Sequence, residues 1–175
     1  MGRQDDVVED LITTRGRALT GYAYLLCGNV DDAEDLVQDA LVKTFSRRRA
    51  GLELQSAEGY VRSAILTIYL DGWRKRGRWA GRRHLTAVPD STEGPESRSD
   101  QRIDVVAALR ELPRQQRACV VLRFYEDMTV AEIAEALGVG EGSVKRYLSM
   151  GVHRLEAVLG PIPGAHTDIE LVQEA

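Results

Sequence analysis

The sequence predicts an all-α chain of two small helical domains joined by a flexible linker, on three observations. Apolar residues recur at three- and four-residue spacing through each patterned stretch, no stretch alternates as a strand would, and one polar, proline-containing segment divides the 175 residues. The expected divisions are 1–86, a linker at 87–101, 102–160, and a polar tail at 161–175. An apolar fraction of 43% suffices to bury a core in each block. The linker, VPDSTEGPESRSD, has almost no apolar residue and cannot offset its own ordering entropy.

Along the N-terminal block, Asp31 followed by Glu34 fits a capping box opening a helix. Ala33, Leu36, Val37, Ala40, Leu41, Thr44 and Phe45 then share one face, which predicts burial. The opposite stripe is Asp35, Gln38, Asp39 and Val42, acidic and partly apolar, a surface suited to a docking partner. A second helix is expected from Ala57 to about Trp79, burying Val61, Ala64, Ile65, Ile68 and Leu70 and running straight into WRKRGRWAGRR.

The charges are segregated. From Met1 to Ser46 nine acids face Arg3, Arg15, Arg17 and Lys43, whereas from Tyr60 to Arg83 seven Arg and Lys face only Asp71. The whole chain carries a formal charge of -4, so the basic run is a local feature. Such segregation implies two partners of opposite charge, one of them polyanionic.

In the C-terminal block, TVAEIAEALGVGEGSVKRYL (129–148) has the pattern of a helix-turn-helix. Thr129 and Glu132 form a capping box, and Ile133, Ala134 and Leu137 make the inner face of a short helix. Gly138 permits the left-handed conformation that ends it, Val139 plugs the turn, and Val144 and Leu148 seat a second helix. A larger side chain at Ala134 would push the two helices apart. In such units the second helix enters the major groove, which makes Glu141, Gly142, Ser143, Lys145, Arg146 and Ser149 the candidate DNA-facing residues. Gly160-Pro161 stops the last helix.

Several classes are disfavoured. Cys27 and Cys119 have no paired spacing and lie among apolar neighbours, so both are read as core residues of a protein in a reducing compartment. The N-terminus MGRQDDVVED is acidic with no apolar run, and no membrane segment is expected. His84, His153 and His166 are scattered with no carboxylate or cysteine at metal spacing, and no phosphate loop or nucleophile-base pair is evident. No catalytic residue, metal site or cofactor is expected.

Taken together, DDAEDLVQDALVKTF (31–45), EGYVRSAILTIYLDGWRKR (58–76) and LRELPRQQRACVVLRFYEDMTVAEIAEALGVGEGSVKRYL (109–148) resemble the extracytoplasmic-function sigma factors of bacterial RNA polymerase, in particular the actinobacterial SigE-like branch. The likeness runs from about Leu11 to Leu159. It implies that 1–86 is sigma domain 2 and 102–160 is sigma domain 4. Asp35, Gln38, Asp39 and Val42 would dock on the basic clamp helices of the largest polymerase subunit, with the flap of the second-largest subunit as a further contact.

The resemblance also implies promoter DNA, duplex and single-stranded, as a partner. Arg47, Arg48, Tyr60, Arg62, Thr67, Trp73, Arg74, Lys75, Arg76 and Arg78 would serve the minus-ten element. Arginines hold phosphates while aromatic rings stack on unpaired bases, which suits the edge of melted DNA; Trp73 and Trp79 could equally pack in the core. Lys145 and Arg146, with Glu141, Gly142, Ser143 and Ser149, would lie in the minus-thirty-five major groove, with Arg123 a candidate phosphate contact. An anti-sigma factor is a further candidate partner, and the expected location is the bacterial cytoplasm, on the nucleoid.

Three positions depart from the family pattern. Thr67 replaces a usual asparagine, Met150-Gly151 replaces a common Arg-Ala pair and so removes an expected phosphate contact, and Gly140 takes the place of a Ser/Thr cap. Alternative readings are a GerE-type helix-turn-helix regulator and a sigma mimic that titrates an anti-sigma factor.

Overall fold

The structure, a computed structural model, describes residues 3–46, 54–80 and 100–165, with side chains described for 6–46, 56–72 and 105–165. Among these residues the chain forms helices α1 (Arg3–Cys27), α2 (Val30–Phe45), α3 (Leu54–Ala80), α4 (Asp100–Arg110), α5 (Arg114–Phe124), α6 (Val130–Leu137) and α7 (Glu141–Leu159), and no strand. The expected linker lies outside the described residues except at its end, where Asp100 and Gln101 already belong to α4.

Helices α1, α2 and α3 pack together, burying Leu11, Leu19, Tyr22 and Leu26 against Leu36, Val37, Val61 and Ile65. The turn from α1 to α2 is a single left-handed step at Gly28 (φ 85°). Because α1 ends there, α2 must start at once. Asn29, extended at φ -139° and ψ 157°, caps it by accepting from the Asp32 amide at 2.8 Å. The capping box expected at Asp31 and Glu34 is therefore displaced: the cap lies two residues earlier, and Asp31 and Asp32 sit in the first turn, where the helix dipole favours them.

On α2 the buried face is Ala33, Leu36, Val37, Ala40 and Thr44, with Leu41 and Phe45 half-buried. The predicted buried set of α3 needs correction. Val61, Ala64 and Ile65 are buried, but Leu66 and Tyr69 complete the set while Ile68 and Leu70 are only half-buried. The cause is that α3 packs against α5 as well as α1 and α2. Arg114 of α5 donates to the Tyr69 carbonyl and lays its guanidinium 4.6 Å from the ring centroid, covering that side.

Helices α4 to α7 enclose Leu109, Leu112, Cys119, Val121, Ile133, Val144 and Leu148. Gly151 of α7 is buried against α5; a Cβ there would lie 2.9 Å from Val120 Cγ2 and 3.6 Å from the Gln116 carbonyl oxygen. Glycine at 151 thus lets two helices approach closely, a packing reason for what the sequence suggests is only a lost phosphate contact. Gly160 (φ 81°) ends α7, and the chain turns back so that Ile162 donates its amide to Glu156 and Ala165 is buried. The start of the tail, expected to be merely polar, is anchored in this way; residues 166–175 lie outside the described residues.

The two groups of helices share one contiguous core. Arg117 of α5 is the main polar fastener between them. Its Nη1 donates to the Leu26 carbonyl near the end of α1 at 2.7 Å, and its Nη2 donates to the carbonyls of Arg110 at 2.6 Å and Leu112 at 3.2 Å, where α4 ends. Helix C-termini present unpaired carbonyls and partial negative charge, so one buried guanidinium satisfies two of them together.

Cys119 is fully buried, and desolvation pushes its thiol up to about 12. Cys27 is half-buried, donates to the Ala23 carbonyl at 2.8 Å, and is likewise pushed up, mainly by burial. Neither is poised to form thiolate.

Candidate nucleic-acid interface

The outward face of α2 carries Asp35, Gln38 and Asp39, all exposed, and Val42, 67% exposed. Helical spacing places them in one stripe because the opposite positions, Ala33, Leu36, Val37 and Ala40, are held by the core.

Along α3, Tyr60 is 47% exposed, and Thr67 is exposed with its hydroxyl donating to the Ser63 carbonyl at 2.8 Å. Arg62 is half-buried and already engaged. Its Nη2 lies 2.9 Å from Glu58 Oε1, its Nη1 donates to Glu126 from beyond α5, and its guanidinium sits 5.5 Å from the Tyr22 ring centroid. Trp73, Arg74, Lys75, Arg76 and Arg78 lie on the last turns of α3, whose backbone is described and whose side chains are not. Arg47 and Arg48 lie outside the described residues.

The helix-turn-helix is α6 and α7. Thr129 caps α6 by accepting from the Glu132 amide, while the Glu132 carboxylate accepts from the Thr129 amide at 2.8 Å, completing the predicted capping box. The Thr129 amide and hydroxyl both donate to this carboxylate at 2.8 Å, which favours its ionised form and holds the Glu132 carboxyl below its ordinary value. Gly138 adopts φ 65° and ψ 37°, the left-handed turn expected there. Gly140 precedes α7 with no side-chain cap.

On the first turns of α7, Glu141, Gly142, Arg146 and Ser149 are exposed while Ser143 and Lys145 are half-buried. The Arg146 guanidinium lies 5.6 Å from the Tyr147 ring centroid. Met150 is exposed one turn further along, with Gln116 Nε2 4.0 Å from its sulfur. Arg123 is half-buried and donates to the Met128 carbonyl at 2.9 Å, bracing the turn between α5 and α6.

Residues 11–78 match the family described as sigma-70 region 2, and residues 102–155 match sigma-70, region 4. The chain is 32% identical over 158 residues to the RNA polymerase sigma-E factor of Streptomyces coelicolor, covering 86% of this chain and 85% of that protein. It belongs to the RNA polymerase sigma factors, in their extracytoplasmic-function branch. This sigma factor is also 32% identical to the extracytoplasmic-function factor SigE of Mycolicibacterium smegmatis, over 86% of this chain and 61% of that protein. Among solved structures it is similar to the sigma factor RpoE of Bartonella quintana, crystallised with the anti-sigma factor NepR. That likeness has a TM-score of 0.65 at 25% identity, covering 88% of this chain and 96% of that one.

The sequence pattern does not reveal Arg117 or Glu126, which join the sigma factor's two halves, or Glu58, which pairs with Arg15 and Arg62 within the N-terminal half. The available signal is weak: Arg117 is a single cation directly before the apolar run from Ala118 to Leu122. No described helix is long and apolar enough to cross a membrane.

Proposed function

We propose that this sigma factor binds core RNA polymerase through Asp35, Gln38, Asp39 and Val42 and directs promoter-specific initiation. The observation that carries this is the exposed acidic stripe of α2, with its 67% exposed valine, in a chain that also has a region 4 helix-turn-helix. Carboxylates facing basic clamp helices steer encounter and fix register, and Val42 adds apolar area at the centre of the contact. The flap of the second-largest subunit would receive the C-terminal unit.

On DNA, Lys145, Arg146 and Ser149, together with Glu141, Gly142 and Ser143, read the minus-thirty-five major groove from α7, and Arg123 adds a phosphate contact. The arginine-rich end of α3, from Trp73 through Arg78, together with Arg47, Arg48, Tyr60, Arg62 and Thr67, holds the minus-ten element where its strands part. Melting needs no hydrolysis: capturing unstacked bases offsets an unstacking cost of a few kcal/mol and shifts the equilibrium toward open DNA. Two modest DNA contacts mounted on one polymerase reinforce each other through effective concentration. The work takes place in the bacterial cytoplasm on the nucleoid, and an anti-sigma factor, as in the Bartonella complex, is a further partner in this reading.

Run-off transcription with core enzyme lacking any other sigma tests this reading. Promoter-specific initiation is expected, and its absence would overturn the assignment. Asp35→Arg combined with Gln38→Arg should abolish co-purification with core while helicity is retained; undiminished association would remove the docking surface from α2.

A further inference from the structure

Helix α7 runs from Glu141 to Leu159, and the reading above uses only its first turns. Its basic character does not end there. Between Glu141 and Glu156 the helix carries Lys145, Arg146, His153 and Arg154 and no carboxylate, in a chain whose formal charge is -4. Glu156, the next acid, accepts the amide of Ile162 and so serves the turn that closes the helix. A solvated helix face in an acidic protein ordinarily mixes its signs, so an unopposed basic length points to a polyanion lying along it.

The fold fixes which side that length presents. Val144, Leu148, Gly151, Val152 and Leu155 are buried, which turns Arg146, Met150, His153 and Arg154 outward, all of them exposed. His153 lies about two turns behind Arg146, roughly 10 Å along the axis and within about 20° around it. The major groove of B-DNA is about 12 Å wide and about 8.5 Å deep, so a helix whose Arg146 meets base edges has His153 at the rim, level with the phosphates. Met150, 42% exposed between them, has no N–H to offer a phosphate. The Arg154 guanidinium makes no hydrogen bond or ion pair with any described residue and is left for an outside anion.

We infer that His153 and Arg154 form a phosphate clamp two turns behind the reading tip of α7, gripping the DNA backbone beside the minus-thirty-five element and fixing how deep the helix sits in the groove. The inference rests on the proposed reading of that groove by α7. The two side chains divide the work. Arg154 presents a guanidinium fork that matches two phosphate oxygens, and His153 presents a ring N–H to a neighbouring phosphate. Neither reaches a base edge, so the clamp sets register and affinity while Lys145, Arg146 and Ser149 set sequence preference.

The full chain titrated at several KCl concentrations against two fluorescent duplexes of equal length, one an upstream promoter region recovered by run-off transcription and one scrambled, reads the clamp. His153→Ala with Arg154→Ala should weaken binding to both duplexes by the same factor, about tenfold, and lower the slope of log affinity against log salt by about 1. Arg154→Lys, which keeps the charge, should keep the slope. Lys145→Ala with Arg146→Ala should instead weaken the promoter duplex more than the scrambled one, and circular dichroism checks that each variant is folded. An unchanged slope in the clamp double variant sinks the clamp, and so does a loss confined to the promoter duplex, which would make the pair base readers. A slope lost equally in Arg154→Lys overturns it too, because shape rather than charge would then be at work. Undiminished promoter preference after Lys145→Ala with Arg146→Ala would remove base reading from α7, an outcome separate from the clamp, whose slope is read on the scrambled duplex.

Discussion

The seam between α6 and α7 is held by apolar burial, whereas the seam between α5 and the N-terminal helices adds polar fasteners to the core that the two groups share. In the first, Ile133, Ala134 and Leu137 meet Val144 and Leu148 with all five buried, and the turn is fixed by a left-handed glycine. In the second, guanidinium groups of Arg62, Arg114 and Arg117 reach across to a carboxylate and two helix carbonyls. Apolar burial has no substitute partner in water, so the helix-turn-helix moves as one body. A polar contact contributes less net stability than the apolar burial beside it and depends more on geometry, so the fasteners of the second seam are the part most sensitive to a change of side-chain shape.

The largest expected effect lies on the apolar side of that contrast. Ile133 is fully buried, and Ile133→Ala should cost about 2–5 kcal/mol, read as a lowered urea midpoint of the full chain. A loss well below that would mean the α6–α7 seam can collapse to fill space and is less rigid than its packing indicates. Next comes the close approach of α7 to α5. Gly151→Ala brings a Cβ to 2.9 Å from Val120 Cγ2 and should cost about 1–3 kcal/mol, and adding Val120→Ala should cost less than the sum of the two single changes. Strict additivity would show that the helices separate without strain.

A smaller loss is expected at the polar seam. Arg117→Lys replaces a fork that serves three carbonyls with one ammonium that cannot reach all of them, leaving a helix end short of a donor at about 1–2 kcal/mol. Its distinguishing mark is expansion in scattering together with that modest loss, whereas Ile133→Ala should lose stability before it expands. Equal behaviour of the two variants would erase the distinction between the seams.

Legibility in the sequence follows the same division. The helix-turn-helix is readable because its signals are local: Thr129 with Glu132, Gly138, and the spacing of Ile133 to Leu148 all fall within one short window. The face of α2 is readable for the same reason, and its outward residues follow once Leu36 and Val37 are assigned inward. Its cap is not, because Asp31-Glu34 and Asn29-Asp32 are both acceptable patterns and only the turn at Gly28 selects the second. Tyr69 and Leu66 require knowledge that α5 covers α3. Charge at Arg117 and Glu126 reads as solvated surface until the fold brings distant segments together, and Gly151 reads as an absence until Val120 is seen beneath it.

The smallest effect is one of sign, and it separates burial from pairing at the polar seam. Burial raises the Glu126 carboxyl above its ordinary value of 4.5; Arg62 lowers it and Glu58 adds a further rise, with burial the largest of the three. A carboxyl raised in the folded chain contributes stability that is fully present below its unfolded pKa and is lost as pH rises through the folded one. Closing the seam therefore takes up a proton in the mildly acidic range. Comparing the unsubstituted chain with Glu126→Gln cancels the titration of the other carboxylates, and the difference in urea midpoint should move in favour of the unsubstituted chain as pH falls from about 7 toward about 5. The opposite slope would mean that attraction to Arg62 outweighs desolvation, which would make the pair a tighter clasp than its burial indicates.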